Sequence, residues 1–599
     1  MAEPIRTTCP YCGVGCGVLA TPQADGSVSV AGDPEHPANF GRLCSKGSAL
    51  AETISLDGRQ LYPMINGVRA SWSDALDAAA DRLGAIIADN GPDAVALYGS
   101  GQLLTEDYYV ANKLMKGFIG TANIDTNSRL CMASSVAGHK RAFGADTVPG
   151  TYEDLELADL VVLVGSNLGW CHPVLYQRLL AAKEARPDLR IVVIDPRRTN
   201  CAETADLHLP IAPDGDVALF SGLFAHLANA GVFDTRYIAD HTSGISDALD
   251  AAEDWTISRV AEATGLSTAD VAMFFDMFAA TEKVVSVYSQ GVNQSTSGTD
   301  KVNAILNCHL ATGRIGRPGM GPFSVTGQPN AMGGREVGGL ANMLAAHMEF
   351  DDADRVARFW NAPDIATKPG LKAVDMFDAI GDGRIKAVWI MATNPVVSLP
   401  DADAARKALA DCDTVIVSDM FATTDTARMA DIFLPAAGWG EKSGTVTNSE
   451  RRISRQRAFR PLPGEARPDW WIICEIAKRL GFSGFDYSSP AEIFAEHAEL
   501  SGFENRGSRD FDISALADRD YETLAPAQWP VPRTGRGATR FFGSGGFFTP
   551  DGKARILPLA PPPPKDRGPG QLIINTGRVR DHWHTMTRTG RTPRLSAHY

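Results

Sequence analysis

The chain has 599 residues, 44% hydrophobic and 21% charged, enough to bury several cores in about three or four domains. Its net charge of −14 lacks the basic excess of a nucleic-acid binder, and no apolar run is long enough to cross a bilayer. Ten cysteines in a chain this size do not suggest a disulfide scaffold and are consistent with a reducing compartment.

The first element is a cysteine loop. Cys9, Cys12 and Cys16 lie among Gly13, Gly15 and Gly17, and Cys44 follows in Leu43-Cys44-Ser45-Lys46-Gly47. Four thiolates, three of them in one tight loop, can hold the corners of an iron–sulfur cube; structural zinc, which usually takes its ligands two and two, is the alternative. The glycines allow a sharp turn and a close approach of backbone amides to the sulfurs. A cluster beginning at Cys9 leaves no room for a signal peptide or twin-arginine leader, so a cytoplasmic location is expected. Cys171, Cys201, Cys308, Cys412 and Cys474 read as small buried apolar residues.

Trp72, Ala75, Leu76, Ala79, Leu83, Ile86 and Ile87 recur at helical spacing until Gly91-Pro92. A strand over 94–98 then runs into Gly99-Ser100-Gly101-Gln102. Leu160-Val161-Val162-Leu163-Val164 reads as a fully buried strand ending in Gly165-Ser166-Asn167-Leu168-Gly169-Trp170. Ile191-Val192-Val193-Ile194 repeats the plan and ends in Asp195-Pro196-Arg197-Arg198-Thr199. Strands that end in glycines, an acid and paired arginines suit a nucleotide ribose and diphosphate. A second set follows: 387–391 leads to Ala392-Thr393-Asn394-Pro395, and 414–417 leads to Ser418-Asp419. Two nucleotide-fold domains are therefore expected.

Between these sets, residues 327–339 are too glycine-rich for an ordinary helix and can bring backbone close to a bulky ligand. Arg451-Arg452 reads as solvated or phosphate-facing. Residues 559–564 read as a proline-rich linker, and 571–575 as a strand opening a further domain.

Three motifs carry a resemblance over essentially the whole chain: the four cysteines, Asn127-Ser128-Arg129-Leu130-Cys131-Met132-Ala133-Ser134, and Thr576-Gly577-Arg578-Val579-Arg580-Asp581-His582-Trp583-His584-Thr585. In this order they resemble the molybdopterin-dependent oxidoreductases and, within them, the cytoplasmic assimilatory nitrate reductase catalytic subunits. The resemblance implies a 4Fe-4S cluster on Cys9, Cys12, Cys16 and Cys44, and a molybdenum bis(molybdopterin guanine dinucleotide) whose metal is bound by Cys131. Formate dehydrogenases resemble one another in a cysteine or selenocysteine followed by histidine, whereas here Cys131 is followed by Met132. The implied chemistry is oxygen-atom transfer from nitrate to leave nitrite, in nitrate assimilation.

The implied fold is α/β: a small N-terminal iron–sulfur domain, two nucleotide-binding-like α/β domains with interleaved segments, and the start of a C-terminal barrel-like domain. Expected boundaries are 1–58 for the cluster domain, 59–140 with 370–558 for the first α/β domain, and 141–369 for the second. A linker at 559–570 and an incomplete last domain at 571–599 follow. Family members continue beyond this point, so a fragment is expected.

By the same resemblance, Lys46 lies between cluster and pterin. Gln102, Asn127, Gly165, Ser166, Asn167, Trp170, Asp195, Arg197, Arg198, Thr199, Asp214, Asp216, Gln290, Gln294, Asn394, Ser418, Asp419, Lys442, Asp469, Thr576, Gly577, Arg578, His584 and Thr585 contact the dinucleotides. Arg335 is the candidate for holding nitrate, because a planar guanidinium can donate paired hydrogen bonds to a planar oxyanion; a salt bridge to Glu336 or a phosphate contact is the alternative. Met132 lines the pocket as a soft apolar wall. Ferredoxin, flavodoxin or an NADH-dependent flavoprotein subunit is the expected electron donor, with no nucleic-acid or membrane partner. A formate dehydrogenase-like enzyme and a non-enzymatic iron–sulfur electron-transfer subunit are the competing readings.

Overall fold

The computed structural model describes residues 3–535, 537–563, 568, 570–572 and 574–597. Two compact units divide the chain: Met1–Leu130, Gln328–Gly537 and Asp581–Tyr599 form the first, Cys131–Gly327 and Ala538–Arg580 the second.

The first unit opens with a three-stranded antiparallel sheet, Ile5–Thr8, Gly17–Pro22 and Val28–Gly32. Its main sheet has seven strands in the order Val68–Arg69, Met64–Ile65, Ile432–Pro435, Thr414–Asp419, Ala387–Met391, Val95–Gly99, Ile124–Thr126. The last five run parallel. Every residue of Ala387–Met391 is buried, which is why that strand reads as an unbroken apolar run. Helix Trp72–Asn90 begins where the Ser71 side chain accepts the Asp74 amide and ends at Gly91, whose φ of +84° suits glycine. In chain order the five parallel strands follow the flavodoxin-like pattern 2-1-3-4-5. The order therefore reverses between Val95–Gly99 and Ala387–Met391, where such sheets hold ligands.

The second unit contains an all-parallel five-stranded sheet, Leu207–Leu209, Arg190–Ile194, Leu160–Val164, Val284–Tyr288, Gly321–Ser324. Its chain order is 3-2-1-4-5, so the reversal lies between Leu160–Val164 and Val284–Tyr288. Gly165 and Gly291 meet there: the Gly291 amide donates to the Gly165 carbonyl at 2.9 Å, and a Cβ on Gly291 would lie 2.6 Å from the Gly165 Cα.

The unit boundaries differ from the sequence expectation at residues 131–140, which were expected with the first α/β domain and belong to the second unit, and in two longer stretches. Residues 328–369, expected with the second α/β domain, pack in the first unit. Asn330 donates to the Leu103 carbonyl at 2.8 Å and accepts the Thr447 amide at 2.7 Å, while buried Lys116 donates to the carbonyls of Gly338 and Leu340 at 2.5 and 2.9 Å. Residues 538–558, expected with the first, belong to the second unit. Ala554–Arg555 pairs in parallel with Thr242–Ser243, and the Arg540 Nε donates to Asp154 at 2.8 Å.

The glycine-rich stretch also carries a short helix, Ala331–Glu336, where none was expected. The four described residues of 571–575 carry no strand; Leu572 and Ile574 are 92% and 89% exposed, with no neighbouring strand to cover them. Ile573 and residues 564–567 and 569 of the expected linker lie outside the described residues. No barrel is present among the described residues. In the first unit Trp583 packs edge-on against Tyr11, and Arg594 donates to the Ser48 carbonyl at 2.6 Å, so Trp583 and Arg594 lie against the segment that carries the four N-terminal cysteines.

Candidate functional site

In the first unit, the cysteine loop closes a β-hairpin. Thr8 pairs with Gly17, and the Cys9 amide donates to the Cys16 carbonyl at 2.9 Å. Gly15, at φ +65°, makes the turn so close to Asn448 that an added Cβ would lie 2.6 Å from the Asn448 Cβ. Asn448 donates to the Val14 carbonyl and Ser449 to the Gly13 carbonyl, anchoring the loop from behind. Cys44 is the N-cap of the turn Ser45–Ser48. Burial first, then the charges of Cys44 and Cys12, push the Cys9 thiol above the ordinary thiol range, with Lys46 opposing them. Thiolates crowded in this way need a compensating cationic centre, and a cluster of several irons fits that need. Among the described residues no three His, Cys, Asp or Glu side chains converge on a position for a single metal ion. Lys46 is 1% exposed and buried beside this loop, not on the surface.

The sheet reversal of the first unit gathers several expected residues. Asn127 accepts the Gly101 amide at 2.9 Å and donates to the Thr393 hydroxyl at 3.1 Å, tying the loops after Val95–Gly99 and Ala387–Met391. Gln102 is half-buried in the first of these loops, and Asn394, in the second, accepts from the Thr426 hydroxyl at 2.7 Å. Ser418 is turned into the sheet, its hydroxyl accepting from the Trp389 indole at 2.9 Å. Asp419 accepts the Met420 amide at 2.5 Å, and burial raises its carboxyl to about 6. Lys442 lies between Asp107, at 3.0 Å, and Asp469. Desolvation would lower this lysine, but Asp107 and Asp469 carry it above the lysine range. One carboxyl oxygen of Asp469, Oδ1, is buried with no hydrogen-bond partner among the described residues. Asp107 is a member of this triad that sequence reading missed, because it lies 335 residues from Lys442 with no motif around it.

Arg335 is buried on the helix Ala331–Glu336 and donates to the Met332 sulfur. The Glu336 carboxyl accepts from Thr447 at 2.7 Å and from Trp529 at 2.6 Å. Burial raises Glu336 to about 7, with those two donors opposing it. Of Arg451-Arg452, expected to be solvated or phosphate-facing, Arg451 is not solvated. Arg451 is fully buried over the Trp529 ring and donates to the Trp529 carbonyl, and Arg452 pairs with Glu450 at 2.8 Å. His584 is exposed and stacks edge-on against Trp583, while Thr585 bonds Thr587.

The second unit holds Cys131 and Met132, both buried in the first turn of helix Arg129–Phe143. Gln290 donates its Nε2 to the Cys131 sulfur at 3.1 Å. A Cβ on Gly327 would lie 2.8 Å from that nitrogen and 3.2 Å from the sulfur, so glycine keeps this contact open. Gly165 (φ +52°), Ser166 and Asn167 form the loop after Leu160–Val164, and the Ser166 hydroxyl and Asn167 amide nitrogen are buried without partners among the described residues. An unmet buried polar atom costs roughly 1–3 kcal/mol, so these atoms suit a polar ligand. The Arg197 guanidinium lies 5.3 Å from the Trp170 ring centroid, and Asp195 accepts the Arg197 amide at 2.9 Å. Arg198 is exposed, and Thr199 is buried as the N-cap of Asn200–Glu203. Gly577 lies against Arg197, where a Cβ would meet Nη1 at 2.6 Å; Thr576 is exposed and Arg578 half-buried beside it. Asp214 and Asp216 share Lys301 at 3.2 and 2.9 Å, a partner missed in the sequence. Gln294 is exposed, one turn beyond Gln290.

Residues 3–56 match the molybdopterin oxidoreductase Fe4S4 domain, and residues 59–479 match the molybdopterin oxidoreductase family. A nitrate reductase of Klebsiella oxytoca is 58% identical over 601 residues, covering 99% of this chain and 68% of its own length. A nitrate reductase of Shewanella frigidimarina is 49% identical over 615 residues, covering 99% of this chain and 66% of its own. The chain thus spans about two thirds of the length of these relatives. Acetylene hydratase from Pelobacter acetylenicus, a solved structure, shares the fold with a TM-score of 0.74 at 20% identity, over 92% of this chain and 77% of that one. The chain belongs to the molybdopterin oxidoreductases.

Proposed function

We propose that the chain reduces nitrate to nitrite, using a 4Fe-4S cluster on Cys9, Cys12, Cys16 and Cys44 and a molybdenum bis(molybdopterin guanine dinucleotide) held through Cys131. The observation that carries this reading is the buried Cys131–Met132 pair at a helix start, with Gln290 and Gly327 leaving the sulfur a defined approach. Bound molybdenum supplies oxygen-atom exchange with nitrate, balanced by two electrons and two protons that leave the oxygen as water. The chain's own residues bind and orient. Ser166, Asn167 and Asp469 offer buried polar atoms to the dinucleotides; the open carboxyl oxygen of Asp469 suits a guanine N–H. Arg197 and Arg198 offer charge to phosphate, and Arg335 offers a guanidinium to nitrate. Lys46, buried beside Cys9, favours the more negative reduced states of a centre near it.

An assimilatory, cytoplasmic role is part of the proposal. It is supported by similarity to an assimilatory nitrate reductase of Haloferax mediterranei, 35% identical over 98% of this chain and 85% of its own length. Ferredoxin, flavodoxin or a flavoprotein is the proposed donor class. Among the described residues no helix is long and apolar enough to cross a membrane.

The test is metal analysis of the purified chain together with viologen-driven nitrate reduction. About four irons and one molybdenum per chain with nitrite formed is the expected result. Iron without molybdenum, or a Cys131→Ala chain that still reduces nitrate, overturns the reading.

A further inference from the structure

We infer that Gln290 is a positioning residue that sets the donor strength of the Cys131 thiolate through an N–H···S hydrogen bond. This deepens the reading that Cys131 binds molybdenum, and rests on it.

The Gln290 side-chain oxygen lies on the Ser289 hydroxyl, and its amide nitrogen faces Cys131, at 3.1 Å from its sulfur and 3.9 Å from that of Met132. The same hydroxyl lies 3.3 Å from the Val325 carbonyl, at the end of the neighbouring strand. Asn293 fixes the distance between the two partners. Its Nδ2 donates to the Ser289 carbonyl at 2.8 Å, and its Oδ1 accepts the Ser135 amide, one turn beyond Cys131, at 2.7 Å. Ser134 adds a hydrogen bond to the Asn293 carbonyl at 2.8 Å. The turn bearing Gln290 and the helix bearing Cys131 are thus bolted together by side chains of one unit. The turn leaves the sheet at its reversal of strand order, where an open α/β sheet presents its ligand-binding residues.

A hydrogen bond to a ligating sulfur draws electron density from it, weakens its donation to the metal and favours the reduced metal. Removing the N–H therefore shifts the metal toward its oxidised form without removing a ligand.

The experiment uses the holoenzyme and its Gln290→Met and Ser289→Ala variants, with molybdenum content, a potentiometric titration and the molybdenum electron-paramagnetic-resonance spectrum as readouts. Methionine keeps the length and volume of glutamine and has no N–H. Gln290→Met is expected to load molybdenum as the parent does. At the potential where the parent is half reduced, its ratio of reduced to oxidised metal is expected to fall about three- to tenfold; tenfold is about 59 mV for a one-electron couple. Ser289→Ala, which frees the amide to rotate, is expected to shift the same way by less, and it carries the test if Gln290→Met fails to load. A parent-like titration and spectrum in the loaded variants overturns the inference. A Cys131→Ser holoenzyme with the parent's spectrum overturns the ligand reading itself, a separate outcome that removes the inference with it.

Discussion

Replacing Lys442 with methionine strands two carboxylates in a place that water does not reach. Lys442 is about one-tenth exposed, and Asp107 and Asp469 are 0% and 1% exposed. At about 3 Å and an effective dielectric of about 20, each pair has roughly 5 kcal/mol of gross attraction, most of it offset by desolvation. Removing one partner of such a group costs about 3–5 kcal/mol, because the charge left behind stays buried. Asp107 keeps the amides of Leu104, at 3.0 Å, and Trp470, at 2.9 Å, whereas Asp469 Oδ1 has no hydrogen-bond partner among the described residues. Asp469 takes up the proton. In the parent, burial already raises its carboxyl, opposed by Lys442 and reinforced by Asp107.

A carboxyl raised on folding contributes stability that is complete below its unfolded value and is lost as pH rises through its folded value. Without Lys442 that folded value rises further, so the deficit of Lys442→Met is expected to be full near about pH 8 and to shrink toward about pH 5. Urea unfolding followed by tryptophan fluorescence reads it locally, since Trp470 and Trp471 adjoin Asp469 on helix Asp469–Arg479. Asp469→Asn added to Lys442→Met is expected to restore most of the loss. A deficit below about 1 kcal/mol at the higher pH, or one equal at both pH values, refutes the reasoning.

Glu106 and Glu336 are both buried and both raised to about 7 from 4.5, with burial the first cause. Their contribution to stability is complete below 4.5 and lost as pH rises through about 7, so the first unit is expected to weaken across that window; Glu106→Gln and Glu336→Gln flatten the dependence, which pH-resolved urea midpoints check. Gly333→Val places a Cβ 2.3 Å from the side-chain Oδ1 of Asn330 and 2.8 Å from the Thr105 hydroxyl. Asn330 cannot withdraw without losing the Thr447 amide, so molybdenum per chain is expected to fall while iron stays; normal molybdenum refutes it. Cys9→Ser is expected to cost the cluster its iron, read as lost absorbance and iron content, with the second unit's circular dichroism retained.

Much of the fold was legible because buried parallel strands carry their own signature. Leu160–Val164 and Ala387–Met391 are apolar along their whole length since every residue of each is buried, and the polar residues after them mark where each strand leaves the sheet. The site was less legible, since composition says what a loop offers but not what meets it. Arg451 read as a solvated or phosphate-facing charge, yet it is buried on the Trp529 ring. Gln290 carried a cofactor role by resemblance, but its hydrogen bond to Cys131 spans 159 residues and left no mark in local sequence. The boundary near residue 370 was misplaced for a similar reason: Asn330 finds Leu103 and Thr447, partners far away in the chain.

By itself, the sequence determined the grouping of the N-terminal cysteines, the two sets of strands and the loops at their ends, because these depend on residue type and on spacing along a single segment. The tertiary structure alone decided which loops stand side by side, which charges are buried in pairs, and which nitrogen faces the Cys131 sulfur. Those depend on strand order and on side chains brought together over hundreds of residues, where folding selects contacts that no local pattern encodes.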